Sequence, residues 1–260
     1  MKNRVTIFAV LLVLAGSRCS LAQDALAPLH GHCSLAPGDK SEQVRLELDR
    51  SDGPGHDHDS DSDVPLRYFT GLSPADFGRD GAHLSVSMHA ESGDLTCAGD
   101  VHNFRLSGDF TFTTNPVFVD RMTHLGFTGL TSEKLEVYAL FHIESSWVEG
   151  LQAAGVTRMD SDNLIALRIF RIDPEFVRSM AALGYTNLGA EKLIAFGVHG
   201  VNADEVKQYH SMGYQPNADE LIQMRIFKVT PDFIERMKKR GFDNITIAKL
   251  VQIRIFKLAD

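Results

Sequence analysis

DPEFVRSMAALGYTNLGAEKLIAFGVHGV, residues Asp173–Val201, is one copy of a unit that fills the C-terminal half of the chain. Five copies align end to end: Asn115–Ile143, Glu144–Ile172, Asp173–Val201, Asn202–Val229 and Thr230–Leu258. Four have 29 residues and the fourth has 28, one short near Pro216. Self-similarity at a fixed period of this size is the signature of a repeat architecture.

Each copy reads as two short helices. The first opens on Asn115, Asp173, Asn202 or Thr230, whose side-chain oxygens can accept from the free N–H groups of a first helical turn. Glu144 stands there in the second copy and is a poor cap. Pro116, Pro174 and Pro231 follow at the position where a missing N–H costs nothing. Phe118, Val119 and Met122, and their equivalents Phe176, Val177, Met180 and Phe233, Ile234, Met237, form one apolar stripe. Gly126, Gly155, Gly184, Gly213 and Gly241 predict the helix ends, because glycine enters the left-handed conformation without a Cβ clash. An apolar residue follows each glycine: Phe127, Val156, Tyr185, Tyr214 and Phe242.

The second helix is expected to start at Thr131, Asp160, Asn217 or Thr246, with Gly189 as the weak member. It carries Leu135, Leu164, Leu193, Leu221 and Leu250 at one repeat position. A unit this short cannot bury two apolar faces alone, whereas stacked neighbours bury them together, as in an α-solenoid.

Upstream the periodicity changes. Val44–Leu48 alternates apolar and polar residues, as a half-buried strand does. Similar runs are Leu66–Phe69, Leu84–Met88, Leu95–Ala98, Phe104–Leu106 and Phe110–Phe112, with turns read at Glu91–Asp94 and Ser107–Asp109. The expected fold class is α+β, a small antiparallel β domain followed by an α-solenoid of five two-helix repeats. The expected segments are 1–22, a signal peptide; 23–43, an N-terminal lead; 44–114, the β domain; and 115–258, the repeats.

Met1–Ala22 has the basic start (Lys2, Arg4), apolar run (Val5–Ala15) and small-x-small site (Ser20, Ala22) of a secretory signal. Export places the mature chain in the periplasm or outside the cell. Cleavage would remove Cys19 and leave Cys33 and Cys97, whose pairing as a disulfide suits an oxidising compartment. No later stretch is apolar enough for a membrane helix.

The chain carries a formal net charge of −8. Gln23–Thr114, with 6 basic and 16 acidic residues, is strongly acidic, whereas Asn115–Asp260 has 17 and 18 and is near neutral. An acidic β domain argues against nucleic acid or an anionic membrane surface as its partner.

The run Gly55–Asp63 offers the imidazoles of His56 and His58 and the carboxylates of Asp57, Asp59, Asp61 and Asp63. Such a set can hold a divalent cation weakly. Composition favours a solvated, disordered hairpin loop over a cation site, and no other cofactor is expected. Arg168, Arg225 and Arg254 recur at one repeat position, each followed by Ile-Phe; Ala139 and Gly197 break the series. They read either as a row over an anion or partner carboxylate, or as structural ion pairs with Asp162, Glu175, Asp219 or Asp232. Trp147 replaces a repeat phenylalanine and reads as core. Glu205 sits where an apolar residue is expected, and so must either loosen the stack or be paired. Gly197, His199 and Gly200 set the third copy apart. No zinc-protease helix, nucleophile elbow, P-loop or dinucleotide fingerprint occurs, so no catalytic residue is assigned.

The motif Asp173-Pro-Glu-Phe-Val177, with Leu183-Gly-Tyr185 and Leu193-Ile-Ala195, resembles the periplasmic repeats appended to some bacterial antirepressor-type membrane metallopeptidases, relatives of the β-lactam sensors. The segment Ser107-Gly-Asp-Phe-Thr-Phe-Thr-Thr-Asn-Pro116 resembles the part preceding those repeats. The resemblance covers Val44–Leu258 and not the peptidase, so no activity carries over. It implies a secreted bacterial accessory or sensor-like module. The expected function is a non-catalytic binding or scaffold module facing a protein or envelope partner. A metal-dependent protein or enzyme using loop 55–63, and a purely structural envelope component, are the alternatives.

Overall fold

The computed structural model describes residues 25–51 and 57–258, apart from the side chains of 51–60. Seven antiparallel strands form one sheet in the order β3-β2-β1-β7-β6-β5-β4. They are β1 Leu29–Pro37, β2 Gln43–Ser51, β3 Asp57–Pro65, β4 Phe69–Thr70, β5 His83–Ala90, β6 Gly93–His102 and β7 Arg105–Thr114. Ten α-helices follow among the described residues: α1 Pro116–His124, α2 Ser132–Leu140, α3 Ser145–Ala153, α4 Asn163–Ile169, α5 Pro174–Ala181, α6 Ala190–His199, α7 Ala203–Ser211, α8 Ala218–Ile226, α9 Pro231–Lys239 and α10 Ile247–Ile255.

β1 lies mid-sheet, paired with both β2 and β7, although it comes from the segment read as a lead. The acidic run Asp57–Asp63 is not a loop: it pairs with β2 as edge strand β3, Asp61 opposite Glu47 and Asp63 opposite Arg45. The turn expected at Ser107–Asp109 is also corrected. Gly108 is inside β7, opposite Gly99, and the reversal falls at Asn103–Phe104, both at positive φ. A Cβ on Gly108 would lie 2.0 Å from the Ala98 carbonyl oxygen. The glycine pair thus serves a close approach of two strands rather than a turn.

That approach curls the sheet. Cys33 on β1 and Cys97 on β6 flank β7, yet their Cα atoms are 6.2 Å apart and the two form a disulfide. Next-nearest strands of a flat sheet would be about 9.5 Å apart. The bond closes 64 residues of sequence separation, for which chain entropy gives about 4 kcal/mol of stabilisation.

Odd-numbered helices touch the next odd-numbered helix from α1 to α9, and even-numbered helices do the same from α4 to α10. α2 packs on β6 and β7, and one continuous apolar core runs from the sheet through the helices. The five repeat leucines are all within 1% of complete burial, each contributing about 2 kcal/mol of transfer free energy. All five terminating glycines take positive φ. The residue after each donates to the fifth carbonyl back, as Tyr185 N–H does to Met180 O, which is the closing bond of a Schellman end. The even-numbered helices close in the same way on His142, Arg171, Gly200, Lys228 and Lys257, four of them non-glycine residues at positive φ.

Not every expected cap is local. Asn115, Thr131, Asn202, Asn217, Thr230 and Thr246 accept from their own first turns. Asp160 accepts from the N–H groups of Asp162 and Asn163. Asp173 makes no cap bond and instead accepts from Trp147 Nε1 at 3.2 Å. Glu144 makes none either. The start of α3 is capped by Glu91, from the β5–β6 hairpin, which accepts from Ser145 N–H at 2.7 Å, Ser145 Oγ at 2.6 Å and Arg121 Nη1 at 2.7 Å.

Candidate functional site: an arginine row and the cleft at its head

The C-terminal ends of the even-numbered helices repeat four positions in order. The first holds Ala139, Arg168, Gly197, Arg225 and Arg254. Each arginine reaches back one repeat and donates Nε–H, at 3.1 Å, to a carbonyl at or just past the end of the preceding even-numbered helix: Phe141 O, His199 O and Lys228 O. Those carbonyls are left without helical partners at a helix end, so the arginines fasten neighbouring repeats. Only part of each guanidinium is used. Arg168 Nη1 lies 3.7 Å from Asp173, Arg225 Nη1 donates to Glu205 Oε2 at 2.6 Å, and Arg254 lies over Phe233 at 4.1 Å. The acids suggested by spacing alone are not these partners; Asp162 and Asp219 bind Lys134 and Lys192 instead.

Glu205 is therefore paired, and the stack is not loosened around it. Tyr209 Oη lies 2.9 Å from its Oε1 and 2.8 Å from Val229 O, and one hydroxyl proton serves the two. Burial first, then the bond to Glu205, raises the Tyr209 pKa. Gly197 breaks the arginine series because its Cβ would lie 2.6 Å from Phe170 Cβ. Gly200 makes room for Arg225, whose Nη2 would be 3.1 Å from a Cβ there. The two odd glycines of the third copy thus have packing reasons.

The second repeat position is buried Leu140 in the first copy and turns outward in the other four. Ile169, Val198, Ile226 and Ile255 are 49%, 51%, 48% and 47% exposed. Because α4, α6, α8 and α10 are neighbours in that order, these side chains form a stripe. Arg171, Lys228 and Lys257 border it two positions on.

At the head of the stripe the helices meet the sheet in a cleft of about 470 Å³. Asp63, Pro65, Arg67 and Tyr68 line it from the sheet side, and Leu140, His142, Arg168, Ile169, Arg171 and Asp173 from the helix side. His142 packs against Tyr68 with ring centroids 3.6 Å apart and planes tilted by 37°, and Arg67 lies 4.7 Å over the same tyrosine. His142 Nε2 is buried with no hydrogen-bond partner among the described residues. Burial first, then Arg168 and Arg67, depress the His142 pKa, so the ring is neutral at pH 7. The two carboxylates are already engaged, Asp63 with Arg45 at 3.6 Å and Asp173 with Trp147 and Arg168. Arg67 and Arg171 face no carboxylate partner among the described residues.

Of the residues read from sequence as a cation site, His56 lies outside the described residues, as do the side chains of Asp57, His58 and Asp59. Asp61 and Asp63 lie 3.9 and 3.6 Å from Arg45 Nε. No group of three His, Cys, Asp or Glu side chains converges among the described residues. Trp147 is buried core, as expected. The cleft residues Arg67, Tyr68, His142 and Arg171 were missed. The signal for two of them was the fourth repeat position, His142, Arg171, Lys228 and Lys257, which is basic in four of five copies.

No family model, no curated protein and no solved structure matches this chain.

Proposed function

We infer that the protein is an exported, non-catalytic binding module whose five repeats stack as an α-solenoid and present the even-helix ends to a protein or envelope partner. The observation that carries this reading is the stripe Ile169, Val198, Ile226 and Ile255, four aliphatic side chains about half exposed in register. Evenly exposed aliphatic residues bordered by cations mark an interaction surface better than scattered apolar residues do. The flanking Arg171, Lys228 and Lys257 suit a partner with acidic groups between apolar ones. The row-wise contacts of odd- and even-numbered helices and their shared Schellman ends support the solenoid. Export is supported by the signal-like Met1–Ala22, which lies outside the described residues, and by the Cys33–Cys97 bond. No helix among the described residues is long and apolar enough to cross a membrane. The sequence resemblance to periplasmic repeats points the same way.

The test is a photo-crosslinking amino acid in place of Val198 or Ile226 in the native envelope, with exposed Glu235 on α9 as the control position. One discrete adduct from the stripe positions and none from 235, lost when Ile255→Asp is added, is the expected result. Equal labelling from 198, 226 and 235, or none, overturns the reading.

A further inference from the structure

We propose that the cleft between the sheet and the ends of α2 and α4 is a binding site for a small organic anion, a carboxylate or phosphate carried on a flat apolar body. This goes beyond the partner-binding stripe and does not depend on it.

The charge pattern selects an anion. Arg67 from the sheet side and Arg171 from the helix side enter one cleft with no carboxylate partner among the described residues. Guanidinium groups match carboxylate and phosphate oxygens in a planar fork. The carboxylates present, Asp63 and Asp173, are committed to other groups, which lessens their opposition to an incoming anion.

The apolar part of the lining selects the body. Pro65, Leu140, Phe141 and Ile169 share the wall with the tilted Tyr68–His142 ring pair. A volume of about 470 Å³ is of small-ligand size. An inorganic ion alone would leave most of it unused.

His142 supplies the third argument. Its buried Nε2 has no hydrogen-bond partner among the described residues. A buried polar atom without a hydrogen bond costs about 1–3 kcal/mol, and a ligand oxygen at that atom would relieve it. The charged or titratable groups facing the cleft with it are Arg67, Arg168, Arg171, Asp63, Asp173 and Tyr68. Burial first, then Arg168 and Arg67, depress the His142 pKa, and an anion among these groups offsets the arginine part, so binding raises that pKa and takes up a proton. Affinity therefore rises as pH falls.

The probes are phenyl phosphate and benzoate, with neutral benzamide and inorganic phosphate as controls, titrated calorimetrically into the full mature protein at low salt. At least one of the first two should saturate a single site with a dissociation constant on the order of 1 mM. Which of them binds tighter tells phosphate from carboxylate. Benzamide and inorganic phosphate should each bind at least about ten-fold more weakly. Arg171→Asn, chosen because asparagine tolerates positive φ, and Arg67→Gln should each weaken binding by about ten-fold. Arg178→Gln, on exposed α5, should not weaken it. The His142 midpoint, followed by NMR, should rise on saturation. Ile226→Asp should leave this binding unchanged, so failure of the stripe and failure of the cleft are told apart. Absence of saturation below about 10 mM by either anion, equal binding of benzamide, or wild-type affinity in both arginine variants overturns the proposal.

Discussion

Glu91→Ala, a change in the sheet, should destabilise a helix far along the chain. Glu91 sits in the β5–β6 hairpin and accepts three hydrogen bonds, two from Ser145 and one from Arg121. Ser145 is 1% exposed, so truncation strands a buried N–H and a buried hydroxyl. Loss of an N-cap costs about 1 kcal/mol. Leaving buried polar partners of a charged group unmet adds about 1–3 kcal/mol. The Arg121 pair adds little, because that side chain is 52% exposed and water can replace the carboxylate. A total near 3 kcal/mol corresponds to a fall in melting temperature of about 6–12 °C for a chain of this size. Glu144→Ala is the control. Glu144 occupies the cap position yet makes no cap bond, so its loss should cost under about 0.5 kcal/mol. Thermal unfolding by circular dichroism of both variants decides the matter. A Glu91→Ala melting point within 1 °C of wild type, or a larger loss in Glu144→Ala, would refute the capping from the sheet.

Further changes probe the sheet–helix contact and the repeat spacing. Arg50 and Glu136 are buried 3.6 Å apart, and burial pushes the Glu136 carboxyl up to about 7 despite Arg50. A folded pKa above the unfolded 4.5 stabilises fully below pH 4.5, and that contribution is lost as pH rises through 7. The wild-type melting point should therefore fall relative to Glu136→Gln across that window; a constant difference would refute it. Arg50→Met alone should cost about 3–5 kcal/mol in urea unfolding at pH 8, and Arg50→Met with Glu136→Leu should recover most of it. Gly197→Arg, which completes the arginine series on paper, should destabilise by more than about 2 kcal/mol, since its Cβ would lie 2.6 Å from Phe170 Cβ. A melting point unchanged or raised would show that the repeat can spread there.

Legibility followed the range of the interaction. The terminating glycines, the proline starts and six of the caps were readable because each acts within one or two turns of its own residue. The repeat leucines were readable because they recur. β1 was not, because His30 and His32 alternate with Gly31 and Cys33 and signal no strand; pairing on both edges to β2 and β7 makes it one. The acidic run Asp57–Asp63 gives no strand signal, because composition says nothing of a partner strand, and β2 supplies that partner. The arginine positions were visible, but their acceptors were backbone carbonyls, and these carry no sequence signal.

Sequence alone determined the repeat, its boundaries, the glycine ends of the odd-numbered helices and the two cysteines that pair, since local backbone preference and periodic burial are written residue by residue. Only the tertiary structure decided that the sheet curls enough to join β1 to β6, that a hairpin glutamate caps α3, and that Asp173 serves Trp147 rather than its own helix. It alone brought Arg67 and Tyr68 against His142, Arg168 and Arg171. These residues lie 74 or more positions apart in the chain, and no local preference specifies which of them meet; the docking of α2 onto β6 and β7 does.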